Sequence, residues 1–249
     1  GRRLREASER GGVVAALPEN FAFMGHDEAD KLAVAEAEGE GPIQSEIAGL
    51  ARELGLWIVA GTVPLRVPGE SRVAAACLVF DAEGRRVARY DKIHLFDVAI
   101  PGREERYRES ASVRPGEVPV CVETPAGRLG LAVCYDLRFP ELFRRLVNLG
   151  AEWFCLPSAF TAPTGRAHWE TLLRARAIEN FCHVVAPAQS GFHENGRETY
   201  GDSLIVDCWG RVLARLRRGS GVVVADIDLV RQREVRQNFP SLDHRRLAP

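Results

Sequence analysis

A cysteine between an apolar strand and a helix stands where a thiol can be made nucleophilic. Leu129-Gly130-Leu131-Ala132-Val133 runs directly into Cys134, and 140–149 then has helical spacing up to the cap candidate Gly150. A helix N-terminus can lower a thiol pKa, and backbone N–H groups at so sharp a turn can face a developing oxyanion. A buried core cysteine fits the same position, and it is the reading for Cys77, Cys121, Cys155, Cys182 and Cys208. Acyl transfer through a thiol also needs a proton acceptor and a cation for the tetrahedral oxyanion. Glu19, just past Leu17-Pro18, and Lys92, ending Arg89-Tyr90-Asp91-Lys92, have the right types. Each alone is as readily a surface charge; three such residues at separate strand ends make a chemical constellation.

The elements that would carry them can be read from periodicity. Residues 2–10 suit a helix stopped by Gly11-Gly12, 13–17 a buried strand broken by Pro18, and 43–54 a helix ended at Gly55. Residues 57–63 form the next strand, with 64–70 as a loop. Stretches 73–80 and 85–90 flank Asp81-Ala82-Glu83-Gly84 and predict an antiparallel hairpin. Later come a strand at 153–156, a helix at 168–180, and strands at 183–188, 201–208, 211–216 and 221–227; the Arg-rich tail 230–249 reads as a solvated face or subunit contact.

Lys+Arg 33 against Asp+Glu 34 leaves a net charge of -1, so no basic field favours nucleic acid or anionic lipid. No apolar run approaches the roughly 18 residues of a membrane span. Six cysteines without a CxxC pair predict reduced thiols in a cytoplasmic protein, and six scattered histidines predict no metal site. At 249 residues with 46% hydrophobic side chains the chain can build one large core, so residues 1–249 are expected to form a single domain.

Leu17-Pro18-Glu19-Asn20, Tyr90-Asp91-Lys92-Ile93-His94-Leu95 and Val133-Cys134-Tyr135-Asp136-Leu137-Arg138-Phe139-Pro140-Glu141 together, in this order, resemble the nitrilase (carbon–nitrogen hydrolase) superfamily over nearly the whole chain. The resemblance implies a four-layer αββα sandwich and amide hydrolysis through a thioester, with no cofactor. Glu19 would be general base and then acid, Lys92 would steady the oxyanion with the Tyr135 N–H, and Cys134 would attack. A second glutamate that holds the lysine belongs after the lysine motif; Glu109 is the choice over Glu104 and Glu105. Arg138 and Glu141, three apart, are read as a local ion pair that shapes the site, with direct substrate contact as the alternative. His94 and Asp136 are read as scaffold, and His168-Trp169-Glu170 as a pocket or dimer element.

Pro157-Ser158-Ala159-Phe160, Ala188-Gln189-Ser190-Gly191, Tyr200-Gly201-Asp202-Ser203 and the tail from Phe239-Pro240 resemble the Nit-type subgroup, which hydrolyses deaminated glutathione. That implies release of 2-oxoglutarate and cysteinylglycine, with Arg166, Arg174, Arg176 and Arg197 as candidates for holding an acidic substrate. An ω-amidase acting on 2-oxoglutaramate, another amidase or N-carbamoyl hydrolase, and a catalytically silent scaffold are the alternatives. A homodimer is expected. Members usually begin with a strand ahead of the first helix, so the chain, which starts at Gly1, is expected to be N-terminally truncated and less stable than a form with that strand restored.

Overall fold

The computed structural model describes residues 1–27, 29–102 and 105–247. Its helices are α1 (Arg2–Glu9), α2 (Asp30–Ala33), α3 (Pro42–Leu54), α4 (Pro140–Asn148), α5 (Ala162–Asn180) and α6 (Leu229–Asn238). The first seven strands are β1 (Val14–Ala16), β2 (Trp57–Arg66), β3 (Val73–Phe80), β4 (Arg86–Asp91), β5 (Asp97–Ala99), β6 (Arg106–Arg108) and β7 (Val113–Arg114). The remainder are β8 (Cys121–Thr124), β9 (Gly127–Leu131), β10 (Trp153–Cys155), β11 (His183–Ala186), β12 (Ser190–Phe192), β13 (Glu198–Tyr200), β14 (Ser203–Val206) and β15 (Val212–Leu216).

Two sheets organise the molecule. One runs β1-β2-β3-β4 with β7 also on β3; the other runs β15-β14-β11-β10-β9-β8, parallel across β9, β10 and β11. The two-residue repeat of a strand sorts their side chains. Ile58, Ala60, Ala76, Leu78 and Phe80 pack outward with Leu4 of α1 and Ile47 and Leu50 of α3. The alternate residues Val59, Cys77, Val79 and Tyr90 join Leu129, Leu131 and Cys155 of the second sheet in one cluster. Beyond that sheet, Phe154 meets Phe143 of α4 edge-on at 5.1 Å, and Leu173 and Ala177 of α5 share the same core. The layers are therefore helix, sheet, sheet, helix, as expected.

Four boundaries differ from the sequence reading. β2 continues through Pro64 to Arg66 instead of ending in a loop, because the register shifts between Ala60 and Val63 and Pro64 needs only its carbonyl, which accepts from Glu36 N at 3.0 Å. The helix expected at 168–180 begins at Ala162, where Pro163 lies in the first turn and needs no donor, and Gly165 leaves room for the Tyr200 ring. Residues 221–227 make no strand; the Val222 carbonyl is taken by the Arg10 side chain at 2.6 Å. The tail is not merely a solvated face. Asp228 caps α6 by accepting from Arg231 N, and Arg236 donates to the carbonyls of Phe181, Asn180 and Ala151. Polar anchors of this kind leave no apolar periodicity to read.

Candidate active site

Glu19 lies three residues past β1, and its position depends on how closely β2 approaches. A Cβ on Gly61 would collide with the carbonyl oxygens of Pro18 and Leu17, so only glycine lets the two backbones come this near. Next in chain, Asn20 adopts φ 56° and its N–H donates to Thr62 Oγ1 at 2.9 Å. Gln189 Nε2 donates to the Glu19 carbonyl at 3.2 Å. A strand end, a glycine and two side-chain hydrogen bonds fix the base of the carboxylate.

Lys92 follows β4, and its backbone N–H donates to the Ala75 carbonyl at 3.1 Å. Its ammonium donates to Glu19 Oε1 at 2.8 Å and to Glu109 Oε1 and Oε2 at 3.0 and 2.8 Å. Glu109 opens a 3₁₀ turn just after β6 and also accepts from Phe96 N at 2.7 Å. All three side chains are at most 7% exposed, so their charges meet with little water to screen them. Burial alone would lower the Lys92 pKa; the facing carboxylates of Glu109 and Glu19 instead hold it well above its ordinary value. Burial would likewise raise the Glu109 carboxyl, but Lys92 and then Lys31 hold it below the usual carboxylate range. Of the alternatives, Glu105 accepts from the Tyr107 hydroxyl at 2.9 Å, and Glu104 lies outside the described residues.

Cys134 comes from the second sheet. It heads a 3₁₀ turn, Cys134–Arg138, at φ 48°, a left-handed conformation costly for a residue with a Cβ. Asp136 over-determines that turn from a fully buried position. It accepts from Val133 N at 2.8 Å and Tyr90 Oη at 2.7 Å, and meets His94 N and Nδ1 at 3.1 and 2.7 Å. Tyr90 and His94 flank Lys92, so Asp136 ties the cysteine turn to the lysine segment. The expected lowering of the thiol pKa is not found. Burial first, and then the Glu19 carboxylate, push it up, against the opposing pull of Lys92 and a hydrogen bond from the Ala159 N–H. Cys134 therefore holds its proton at rest, with Glu19 beside it as the acceptor.

Glu19, Lys92, Glu109 and Cys134 open onto one pocket. Tyr135 lines it too, and as the second residue of the turn its N–H is among those left without an acceptor inside that turn. Of the four candidate arginines only Arg197 reaches the pocket. Arg166 is exposed, Arg174 donates to the Gly210 carbonyl, and Arg176 donates to the Leu137 carbonyl and Glu179. Arg138 does not form the expected pair with Glu141; it meets His168 Nδ1 at 3.2 Å and lines the pocket too. Lys31, Phe96 and Phe160 complete a lining that no sequence motif announced.

The carbon–nitrogen hydrolase family model matches residues 3–237. The human protein named deaminated glutathione amidase is 46% identical over 98% of this chain and 75% of its own length. A Synechocystis sp. protein of the same name is 44% identical over 96% of this chain and 88% of its own. In structure the chain is similar to the Caenorhabditis elegans NitFhit protein, with a TM-score of 0.91 and 40% identity; it covers 98% of this chain but spans only 60% of that one.

Proposed function

This chain belongs to the carbon–nitrogen hydrolase family, whose members cleave C–N bonds other than peptide bonds, and from that premise we propose that it is the amidase of deaminated glutathione. The observation that carries the reading is one ammonium, Lys92, bridging Glu19 and Glu109 in the pocket that Cys134 also lines. The near-full-length likeness to two amidases of that name supplies the substrate.

In the proposed reaction the Cys134 sulfur attacks the amide carbonyl as its proton passes to Glu19. The transfer leaves the net charge of the buried group unchanged, so no new charge must be desolvated. The carbonyl oxygen becomes an oxyanion facing Lys92 and the Tyr135 N–H; Lys92 has three donors and the two glutamates occupy two directions. Glu109 fixes the ammonium. Glu19 then gives its proton to the departing nitrogen as the C–N bond breaks, releasing cysteinylglycine and leaving a thioester. Water, deprotonated by Glu19, attacks that thioester, and the C–S bond breaks to give 2-oxoglutarate and the restored thiol.

The test compares kcat/KM for deaminated glutathione, 2-oxoglutaramate, a simple nitrile and an N-carbamoyl amino acid, with Cys134→Ala as control. Deaminated glutathione is expected to be preferred, and the control to lose at least about 10³-fold. Preference for another member of the panel overturns the substrate; undiminished turnover by the control overturns the nucleophile. We further propose a homodimer in a reducing cytoplasm. Ile178, Trp209 and Phe239 are exposed near one another, and all six thiols are free.

A further inference from the structure

The ionisable side chains among the described lining residues of the pocket do not balance. Glu19 and Glu109 face four cations: Lys31, Lys92, Arg138 and Arg197. Lys92 is consumed by both carboxylates, and Lys31 lies close enough to Glu109 to depress its pKa. Arg138 and Arg197 remain. Among the described residues neither forms an ion pair with a carboxylate, which is unusual for two guanidinium groups beside a buried site.

Their surroundings hold each guanidinium plane while leaving donors over. Arg138 lies 5.8 Å from the Tyr135 ring centroid and 5.4 Å from that of Phe160, with one nitrogen 3.2 Å from His168 Nδ1. Arg197 lies 5.1 Å from the Tyr107 ring centroid and donates to the Ala159 carbonyl at 2.6 Å. Its Nε is buried and meets no acceptor. A guanidinium has five N–H donors in a rigid fork that matches the two oxygens of a carboxylate, and aromatic faces orient it without using that edge. A buried donor left unmatched is costly, and an anionic ligand removes the cost.

Placement relative to the reaction is short on both sides. Ala159 lines the pocket beside Cys134 while its carbonyl holds Arg197, and Arg138 is four residues from Cys134 on the same turn. We infer that Arg138 and Arg197 form an anion subsite that takes the carboxylates of the substrate and makes the pocket selective for acidic amides. The inference rests on the amidase reading and assigns the residues of its substrate selectivity. An uncharged amide of the same length would meet the same nucleophile without the two forks.

The experiment uses Arg138→Gln, Arg197→Gln and the two Arg→Lys variants on deaminated glutathione, 2-oxoglutaramate and the neutral hexanamide. The Gln variants are expected to lose at least tenfold more kcat/KM on the acidic amides than on hexanamide, chiefly through KM, and Lys to recover part of the loss. In the unaltered protein, glutarate is expected to protect Cys134 from iodoacetamide at least tenfold better than its neutral diamide, and this needs no variant to fold. Equal losses on acidic and neutral amides, no loss on either, or equal protection by glutarate and its diamide would overturn the subsite. Should deaminated glutathione prove a poor substrate, the reading above fails, and the acidic-to-neutral ratio and the protection ratio still judge the subsite.

Discussion

The proton on Cys134 decides how the residue must act. A standing thiolate would be nucleophilic without help, but burial and the neighbouring Glu19 carboxylate both favour the neutral thiol. Because the thiol pKa lies above the ordinary 9.0, the thiolate fraction is small at pH 7 and keeps growing about tenfold per pH unit up to that pKa. Site-resolved mass spectrometry of iodoacetamide labelling should therefore show the Cys134 rate still rising above pH 9. A plateau below pH 8 would mean a depressed pKa and a pre-formed thiolate. The sequence position of Cys134 before a helix pointed the other way, since it carries no information on how deeply a thiol is buried. The residue types were nonetheless legible: Cys134, Glu19 and Lys92 stand out as strand-end groups that acyl transfer requires. Arg138 and Arg197 were less so, because what makes them unusual is the set of rings and carbonyls beside them, brought from distant segments.

At the scale of elements, the site is held by backbone approaches as much as by side chains. Gly61 in β2 is where Leu17 and Pro18 cross closest, one residue ahead of Thr62, whose hydroxyl takes the Asn20 N–H just past Glu19. Gly61→Ala should push that segment away and displace the Glu19 carboxylate from Lys92. The expected result is a fall in kcat on the order of 10²-fold, the usual effect of misplacing a reacting group by about 1 Å, with about 1–3 kcal/mol of stability lost to overpacking. Gly49→Ala in α3, where a new Cβ meets nothing within 4 Å, is the control and should leave kcat unchanged. Equal kcat for Gly61→Ala and the unaltered protein would show that Glu19 does not depend on this approach. The strands on either side were readable from apolar runs and turn residues, and so were the 73–80 and 86–91 hairpin arms. The β12–β13 hairpin was not. It is only three residues per arm, and its Ser190, Gly191 and Glu198 give no alternation to detect; its purpose is to carry Arg197 to the pocket rim.

On the scale of the whole molecule, the reactive groups are divided between the sheets. Glu19 and Lys92 extend from β1 and β4, Cys134 from β9, so the site exists only while the sheets stay face to face. What holds them is the apolar layer of Val59, Cys77, Val79 and Tyr90 against Leu129, Leu131 and Cys155. Leu131 is fully buried there, three residues before the nucleophile. Leu131→Ala should cost about 2–5 kcal/mol through lost burial and the cavity left behind, which for a chain of this size is a fall in Tm on the order of 10 °C. We propose that residues 1–249 behave as one domain, so activity, far-UV ellipticity and tryptophan fluorescence should all be lost in the same shifted transition, measured at one protein concentration so that any association is held constant. The tryptophans make this a discriminating measurement, since Trp57 lies in the first sheet while Trp153 and Trp169 belong to the second sheet and its covering helix. If activity disappeared in an early step while most ellipticity survived to a second, the sheets would be separable units, and the distances between Lys92, Glu19 and Cys134 would be set by something other than the layer between them.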